Sequence, residues 1–383
     1  MYDFTHAPKR QGTDSVKWHV EPGELPMWIA DMDFATAPEI VAALQAKLEL
    51  GAFGYEEPQA SYFAAVASWY QQVHHAQADP SWMTFTTGVV PAISAIVRRV
   101  TDIGDNVLVQ APVYNIFYNS IENNGRHVLA SDLQYAAGQY AVDWADLEAK
   151  LAAPLTTLMI LCNPHNPIGK VWTKAELTQL AELCLKHHVI LLADEIHGDL
   201  VLAGADYTPV FSLEAELRQN TITLVSPSKT FNVAALHAAT AIVPDPALHA
   251  RVDRGLNRDE VAEPNLLAIP GTIAAYTKGA AWLTALKQQL WANHQLAVEF
   301  IQQELPQVRV ASGPATYLMW LDVHAYGHSA TALTQQIRQR TGLIVSDGTV
   351  YRGNGAQFLR LNFACPEAML QDGLARLKRG LAE

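Results

Sequence analysis

The stretch Thr221-Ile-Thr-Leu-Val-Ser-Pro-Ser-Lys-Thr-Phe-Asn232 joins a short β-branched apolar run to a polar turn that carries a lysine. Thr221 to Val225 predicts a buried strand. It empties into Ser226, Pro227, Ser228 and Lys229, so hydroxyls and backbone N–H groups can gather beside the amine. A phosphate fits such a place. A lysine that forms a Schiff base must spend part of its time neutral, and desolvation in a turn favours the neutral amine. Alone, the stretch reads better as an ordinary solvated loop lysine, because lysines are mostly exposed. The surrounding chain decides between the two.

Working outward, strands are predicted at 106–109, 127–130, 157–161, 189–193, 221–225 and 239–243, with helices at 114–124, 143–152 and 174–187. Alternation of this kind predicts an α/β fold with a large, doubly wound, mainly parallel sheet, and ligands at the carboxyl ends of its strands. The polar residues fall at those ends: Tyr114, then Asn163 and Asn166, then Asp194, then Lys229. Upstream, amphipathic helices are predicted from Pro38 to Leu50, closed by Gly51, and from Pro58 to His75. A strand at 82–86 then leads through Gly88-Val-Val-Pro91 into a helix, a generic anion site. No Gly-x-Gly-x-x-Gly or Walker-type signature is present.

Beyond Val243 the pattern turns helical at 247–257, 265–278 and 280–304. Strands at 307–311, 316–321 and 357–363, with a helix at 329–341, predict a smaller α+β domain. The expected division is 48–275 for the large domain, and 1–47 with 276–383 for the small one. In the dense patch Leu25–Phe34, Trp28, Met32 and Phe34 read as core anchors, and Asp31 and Asp33 as a structural cap and loop pair before the helix at Pro38 rather than paired carboxylates for acid–base work.

The 383 residues are half hydrophobic and 17% charged, the composition of a globular protein rather than a disordered one. Lys and Arg number 26 against 38 Asp and Glu, so the net charge is 26 − 38 = −12, with no basic run. Such a chain is not built to bind nucleic acid or an anionic membrane. Three scattered cysteines, Cys162, Cys184 and Cys365, suit neither a disulfide framework nor a zinc pair. The N-terminus has no apolar signal-like run and no stretch reaches membrane-spanning length, so a cytoplasmic protein is expected.

Taken together, the motifs resemble the pyridoxal-phosphate enzymes of fold type I, in the class I/II aminotransferase superfamily, and within it the cystathionine β-lyase-like (C–S lyase) branch. The resemblance rests on Pro26-Met-Trp-Ile-Ala-Asp-Met-Asp-Phe34, Phe53-Gly-Tyr55, Thr87-Gly-Val-Val-Pro91 and Ala111-Pro-Val-Tyr114. It continues through Asn163-Pro-His-Asn-Pro-Ile-Gly169, Asp194-Glu-Ile-His197, Ser226-Pro-Ser-Lys-Thr-Phe-Asn232 and Arg360-Leu-Asn-Phe-Ala-Cys-Pro366. It implies pyridoxal 5'-phosphate as cofactor, Lys229 as its Schiff-base lysine and the proton carrier at Cα, and Asp194 as the carboxylate facing the ring nitrogen. It further implies Asn166 as donor to the ring's phenolate oxygen, with a cis Asn166–Pro167 bond. Tyr114 would stack on the ring, and Arg360 would clamp the substrate α-carboxylate through its planar fork. The phosphate would be held by the N–H groups of Val89 and Val90, by Ser226 and Ser228, and by Tyr55 reaching across from the partner subunit of a homodimer. The implied reaction is β-elimination of L-cystathionine or a related cysteine S-conjugate to a thiol (homocysteine), pyruvate and ammonia.

Three positions depart from the aminotransferase pattern. His197 stands where a tyrosine is usual, as in the lyase branch; His237 stands where a phosphate-binding arginine is common; Ala235 replaces a glycine. Two other functions remain compatible with these residues. One is an aminotransferase sharing every early step, and the other is a regulator that keeps the fold and acts through a protein partner.

Overall fold

The computed structural model describes residues 2–202 and 204–382. Its centre is a seven-stranded sheet built from β1 (Met83–Thr86), β2 (Asn106–Val109), β3 (His127–Ala130), β4 (Thr156–Cys162), β5 (Ile190–Asp194), β6 (Thr221–Val225) and β7 (Ala239–Ile242). The spatial order is β1-β7-β6-β5-β4-β2-β3. All neighbours are parallel except β7, which runs antiparallel to both β1 and β6. The predicted doubly wound sheet is therefore present, with each predicted strand within a residue or so of its expected ends.

Both faces of this sheet are covered, which explains why its strands read as continuous apolar runs rather than alternating ones. Along β2, Val107 and Val109 pack into the layer under the helices Val89–Val100 and Pro246–Arg258, while Leu108 points to the opposite layer under Trp144–Leu151 and Lys174–Lys186. Every residue of β6 is buried. Its carboxyl end delivers Ser226 as the N-cap of the one-turn helix Pro227–Thr230, whose second turn residue is Ser228 and third Lys229.

The second sheet has four strands: β8 (Arg309–Val310), β9 (Leu318–Asp322), β10 (Ser346–Asp347) and β11 (Phe358–Asn362), in the order β8-β9-β11-β10, all antiparallel. The 25-residue helix Ala280–Glu304 runs before it. Besides the strand Ser346–Asp347 and the short helix Ala215–Arg218, three elements had no counterpart in the sequence reading. They are the parallel pair Leu25–Pro26 with Leu343–Ile344, the hairpin Gln134–Ala141, and the terminal helix Glu367–Leu381. The first two are too short to show a period, and a two-residue pairing is specified by its partner.

The N-terminal segment is extended and held by a buried ion cluster. Asp33 accepts from Lys17 Nζ at 2.7 Å and Trp18 Nε1 at 2.7 Å, and Arg10 bridges Asp31 and Asp33. The two aspartates are structural as expected, but they anchor residues 10–18 and do not cap the following helix, whose N-cap, Ala37, has no side-chain partner. The carbonyls of Trp28, Ile29, Ala30, Asp31 and Met32 each accept a side-chain hydrogen bond, from Arg360, Asn362, Lys229, Lys17 and Arg10 respectively.

Candidate active site

A cavity of about 660 Å³ opens at the carboxyl ends of the large sheet's strands. The large sheet contributes Tyr114, Asn166, Asp194, His197, Ser228 and Lys229; the small sheet contributes Ser346 and Arg360; the N-terminal segment contributes Trp28 to Ala30. Residues separated by as many as 332 positions thus share one wall.

Lys229 is half-buried, and its Nζ donates to Ala30 O at 2.7 Å. Burial pushes its amine down to about 8, with Arg360 adding to the effect and Asp31 and Asp194 opposing it. Asp194 is 3% exposed, and its Oδ1 accepts from Ile196 N at 3.1 Å. Burial raises its carboxyl to about 7, against the opposing pull of the Ile196 N–H and of Lys229. A carboxylate this poorly compensated is primed for a cationic partner.

Arg360, on β11, is buried, and its guanidinium is held on three sides. Nη1 donates to Asn166 Oδ1 at 3.1 Å, Nη2 to Trp28 O at 2.8 Å, and the group lies 5.0 Å from the centre of the Tyr351 ring. Its Nε has no partner among the described residues. The Asn166–Pro167 peptide is cis, as are Asn163–Pro164 and Ala111–Pro112. Asn163, expected at the same strand end, turns away: its Nδ2 donates to Glu195 Oε1 at 2.8 Å and to Thr208 O at 3.0 Å.

Tyr114 is half-buried against the edge of Phe117, with ring centres 5.8 Å apart, and burial beside Asp194 pushes its hydroxyl up to about 12. His197 is buried, and its Nδ1 has no partner among the described residues. Burial, with Lys229 and Arg360 nearby, lowers its imidazole to about 3, so the ring is neutral.

The far end of the cavity is the start of the helix Val89–Val100. Its N-cap Gly88 has φ 146°, a conformation that favours glycine. The first-turn N–H groups of Val89 and Val90 have no helical acceptor by position and, with the helix dipole, favour an anion. Ser228 lines this end, and exposed His237 reaches the rim. Ser226 stands behind the wall. Its hydroxyl donates to Ala238 O at 2.7 Å and accepts from Ser228 N at 3.1 Å, so it supports Ser228 rather than facing the cavity. Tyr55 lies outside the cavity and is fully exposed, beside exposed Phe53 and Leu50.

Pyridoxal phosphate fits this donor set. A depressed lysine amine, an under-compensated buried carboxylate, an amide and a row of helix-start N–H groups line one cavity, and an unpartnered imidazole nitrogen is buried in its wall. The sequence reading missed the N-terminal wall. Trp28, expected in the core, is half-buried and lines the cavity, whereas Met32 and Phe34 are core residues as expected. Carbonyl groups carry no sequence signal, so the use made of residues 28–32 could not be read from residue types.

Residues 27–377 match the model of the family described as aminotransferase class I and II. The chain is 43% identical over 387 residues to cystathionine beta-lyase PatB of Bacillus subtilis, covering 99% of this chain and 100% of that protein. It is similar in structure to cystalysin of Treponema denticola, which contains a pyridoxal 5'-phosphate cofactor, with a TM-score of 0.95, 30% identity and coverage of 100% and 99% of the two chains. The pyridoxal-phosphate-bound C–S lyase of Staphylococcus hominis gives a TM-score of 0.93 at 28% identity, covering 100% and 99%. With the family model matched over residues 27–377 and likeness along nearly the whole of both chains, the chain belongs to the class I and II aminotransferase family, in the company of its pyridoxal-phosphate C–S lyases.

Proposed function

We propose that this protein is a pyridoxal-phosphate-dependent carbon–sulfur β-lyase that cleaves L-cystathionine or related cysteine S-conjugates to a thiol, pyruvate and ammonia. The observation that carries the reading is the meeting of Lys229, Asp194 and Arg360 in one cavity. Pyridoxal phosphate, when bound, supplies an electron sink for the pair released at Cα.

The residues divide the remaining work. Lys229 would hold the cofactor through Nζ, and its amine, whose hold on a proton the cavity weakens, would take the Cα proton. A positioned base of this kind contributes about 10²–10⁴-fold in rate. Asp194 would meet the ring nitrogen of the cofactor, and a cation placed there would favour its ionised carboxylate. Asn166 donates its amide to the ring oxygen while its Oδ1 steadies Arg360. Arg360 grips the α-carboxylate, orienting the substrate so that Cα faces Lys229. Tyr114 would stack on the ring, and its hydroxyl keeps its proton at neutral pH. Val89, Val90 and Ser228 hold the phosphate, with Ser226 bracing Ser228. His197, neutral beside two cations, adds no charge that would compete with the substrate.

The site belongs to a homodimer in this reading. Exposed Leu50, Phe53 and Tyr55 form the contact, and Tyr55 completes the partner's phosphate site. Residues 48–275 form the larger unit and 1–47 with 276–383 the smaller. Three free, buried cysteines suit a reducing cytoplasm. Among the described residues no helix is long and apolar enough to cross a membrane.

The test is to supply the loaded protein with L-cystathionine and no 2-oxo acid. Stoichiometric pyruvate and free thiol are expected. Amino transfer that requires an oxo acid and releases no thiol would make it an aminotransferase instead.

A further inference from the structure

Asp199 is a buried carboxylate with no place in the chemistry above, yet three side chains donate to it. Its Oδ1 accepts from Trp69 Nε1 at 2.9 Å and from His74 Nε2 at 2.7 Å, and its Oδ2 accepts from the Thr230 hydroxyl at 2.8 Å. Thr230 is fully buried and follows Lys229 in the one-turn helix Pro227–Thr230. A helix of four residues has little rigidity of its own, since so few bonds hold its dihedrals. What orients it must come from outside.

Asp199 also ends the turn that begins at Asp194. That turn is closed internally by Ile196 N to Asp194 Oδ1 at 3.1 Å, Gly198 N to Glu195 O at 2.9 Å and Leu200 N to His197 O at 2.9 Å. One turn therefore carries the carboxylate of the cavity wall at its start and the anchor of the lysine's helix at its end. Burial raises the cost of ionising Asp199, but three donors outweigh it, led by the bond from His74, and hold the carboxyl below its ordinary range.

We propose that Asp199 is a positioning residue for Lys229. Acting through the Thr230 hydroxyl, it sets the azimuth of the lysine-bearing turn against Asp194, and so fixes the distance between the two groups that grip opposite ends of the cofactor ring. This rests on the cofactor reading above. Asp199 touches neither cofactor nor substrate.

The test uses Thr230→Val, which keeps the shape and removes the hydroxyl, beside Thr230→Ser, which keeps the hydroxyl. Cofactor-free protein is mixed with pyridoxal phosphate. Capture is followed by the visible band of the lysine-bound cofactor, and by the mass of the borohydride-trapped Lys229 peptide; thermal melting is recorded alongside. Thr230→Val is expected to slow capture, and to lower kcat for pyruvate release, by about 10- to 100-fold with a smaller change in KM, while Thr230→Ser stays close to wild type. Should Thr230→Val fail to fold, Thr230→Ala removes the same hydroxyl and is read the same way. Capture at the wild-type rate in a variant without the hydroxyl, whatever its melting temperature, would overturn the proposal. So would equal slowing in the serine variant. A wild-type chain that captures no cofactor would instead overturn the functional reading beneath it.

Discussion

Arg360 Nη1 lies 3.1 Å from Asn166 Oδ1, a hydrogen bond across 194 residues of chain that ties the small sheet to the end of β4. The guanidinium that is to grip the substrate and the amide that is to touch the cofactor are one unit. Loss of either side chain leaves the other partly unsatisfied in a buried wall.

Arg360→Lys keeps the charge and loses the fork. Lysine cannot make two parallel bonds to a carboxylate while also reaching Asn166 and Trp28 O. KM for L-cystathionine should rise about 100-fold, a loss of about 2.7 kcal/mol, with kcat less affected. Steady-state kinetics would show it, and an unchanged KM would remove Arg360 from the carboxylate site.

The Lys229 amine sits at about 8 in the cofactor-free chain, below its ordinary value. The neutral amine is the nucleophile, so capture of pyridoxal phosphate should be slow below this pH, rise as pH passes about 8, and level off above it. Stopped-flow absorbance from pH 6 to 10 gives the profile. A midpoint near the ordinary lysine value would mean that the cavity does not desolvate the amine. Lys229→Ala should abolish the visible band altogether.

Asp194 gives a second pH signature, in stability. Its folded-state pKa of about 7 lies above its unfolded value, so the folded cofactor-free chain binds the extra proton and loses stability as pH rises from about 4 to 7, with no further loss above. Asp194→Asn removes this slope, a difference on the order of 4 kcal/mol by linkage. Urea unfolding of both cofactor-free proteins at pH 4.5 and 7.5 measures it. Parallel losses in the two proteins would contradict the burial argument.

Tyr55 should act in trans. Mixed dimers of Lys229→Ala and Tyr55→Ala chains contain one site with both residues intact. Refolding an equal mixture should restore about a quarter of wild-type activity, from half of the dimers carrying one good site of two. Activity no higher than that of either variant alone would place Tyr55 outside the partner's site.

The seven strands of the large sheet were legible because buried strands in a covered sheet write their length directly as apolar runs, and Lys229, Asp194, Asn166 and Tyr114 were legible because they end those runs. Arg360 was found through its motif and not its environment, since nothing local to β11 says that it meets Asn166. The contact of the Ser226 hydroxyl with Ala238 O is made by a chain reversal that residue types do not reveal. Trp28 was misplaced for a related reason, because an aromatic beside core residues looks like one of them until the backbone is seen to bend along the cavity. Asp199 and Thr230 carried no signal, as a buried carboxylate and a buried hydroxyl identify each other only in three dimensions.

The five consecutive carbonyls from Trp28 to Met32, each holding a side chain of the site or its anchor, make this stretch work through its main chain. Alanine scanning is blind to such a contribution. Every replacement keeps the carbonyl oxygen, so whatever a scan of residues 28–32 detects reports the side chains of Trp28, Asp31 and Met32 and not the acceptors beside them. Ester substitution along 28–32, which weakens each carbonyl as an acceptor without altering a side chain, is the perturbation to which this part of the enzyme would answer.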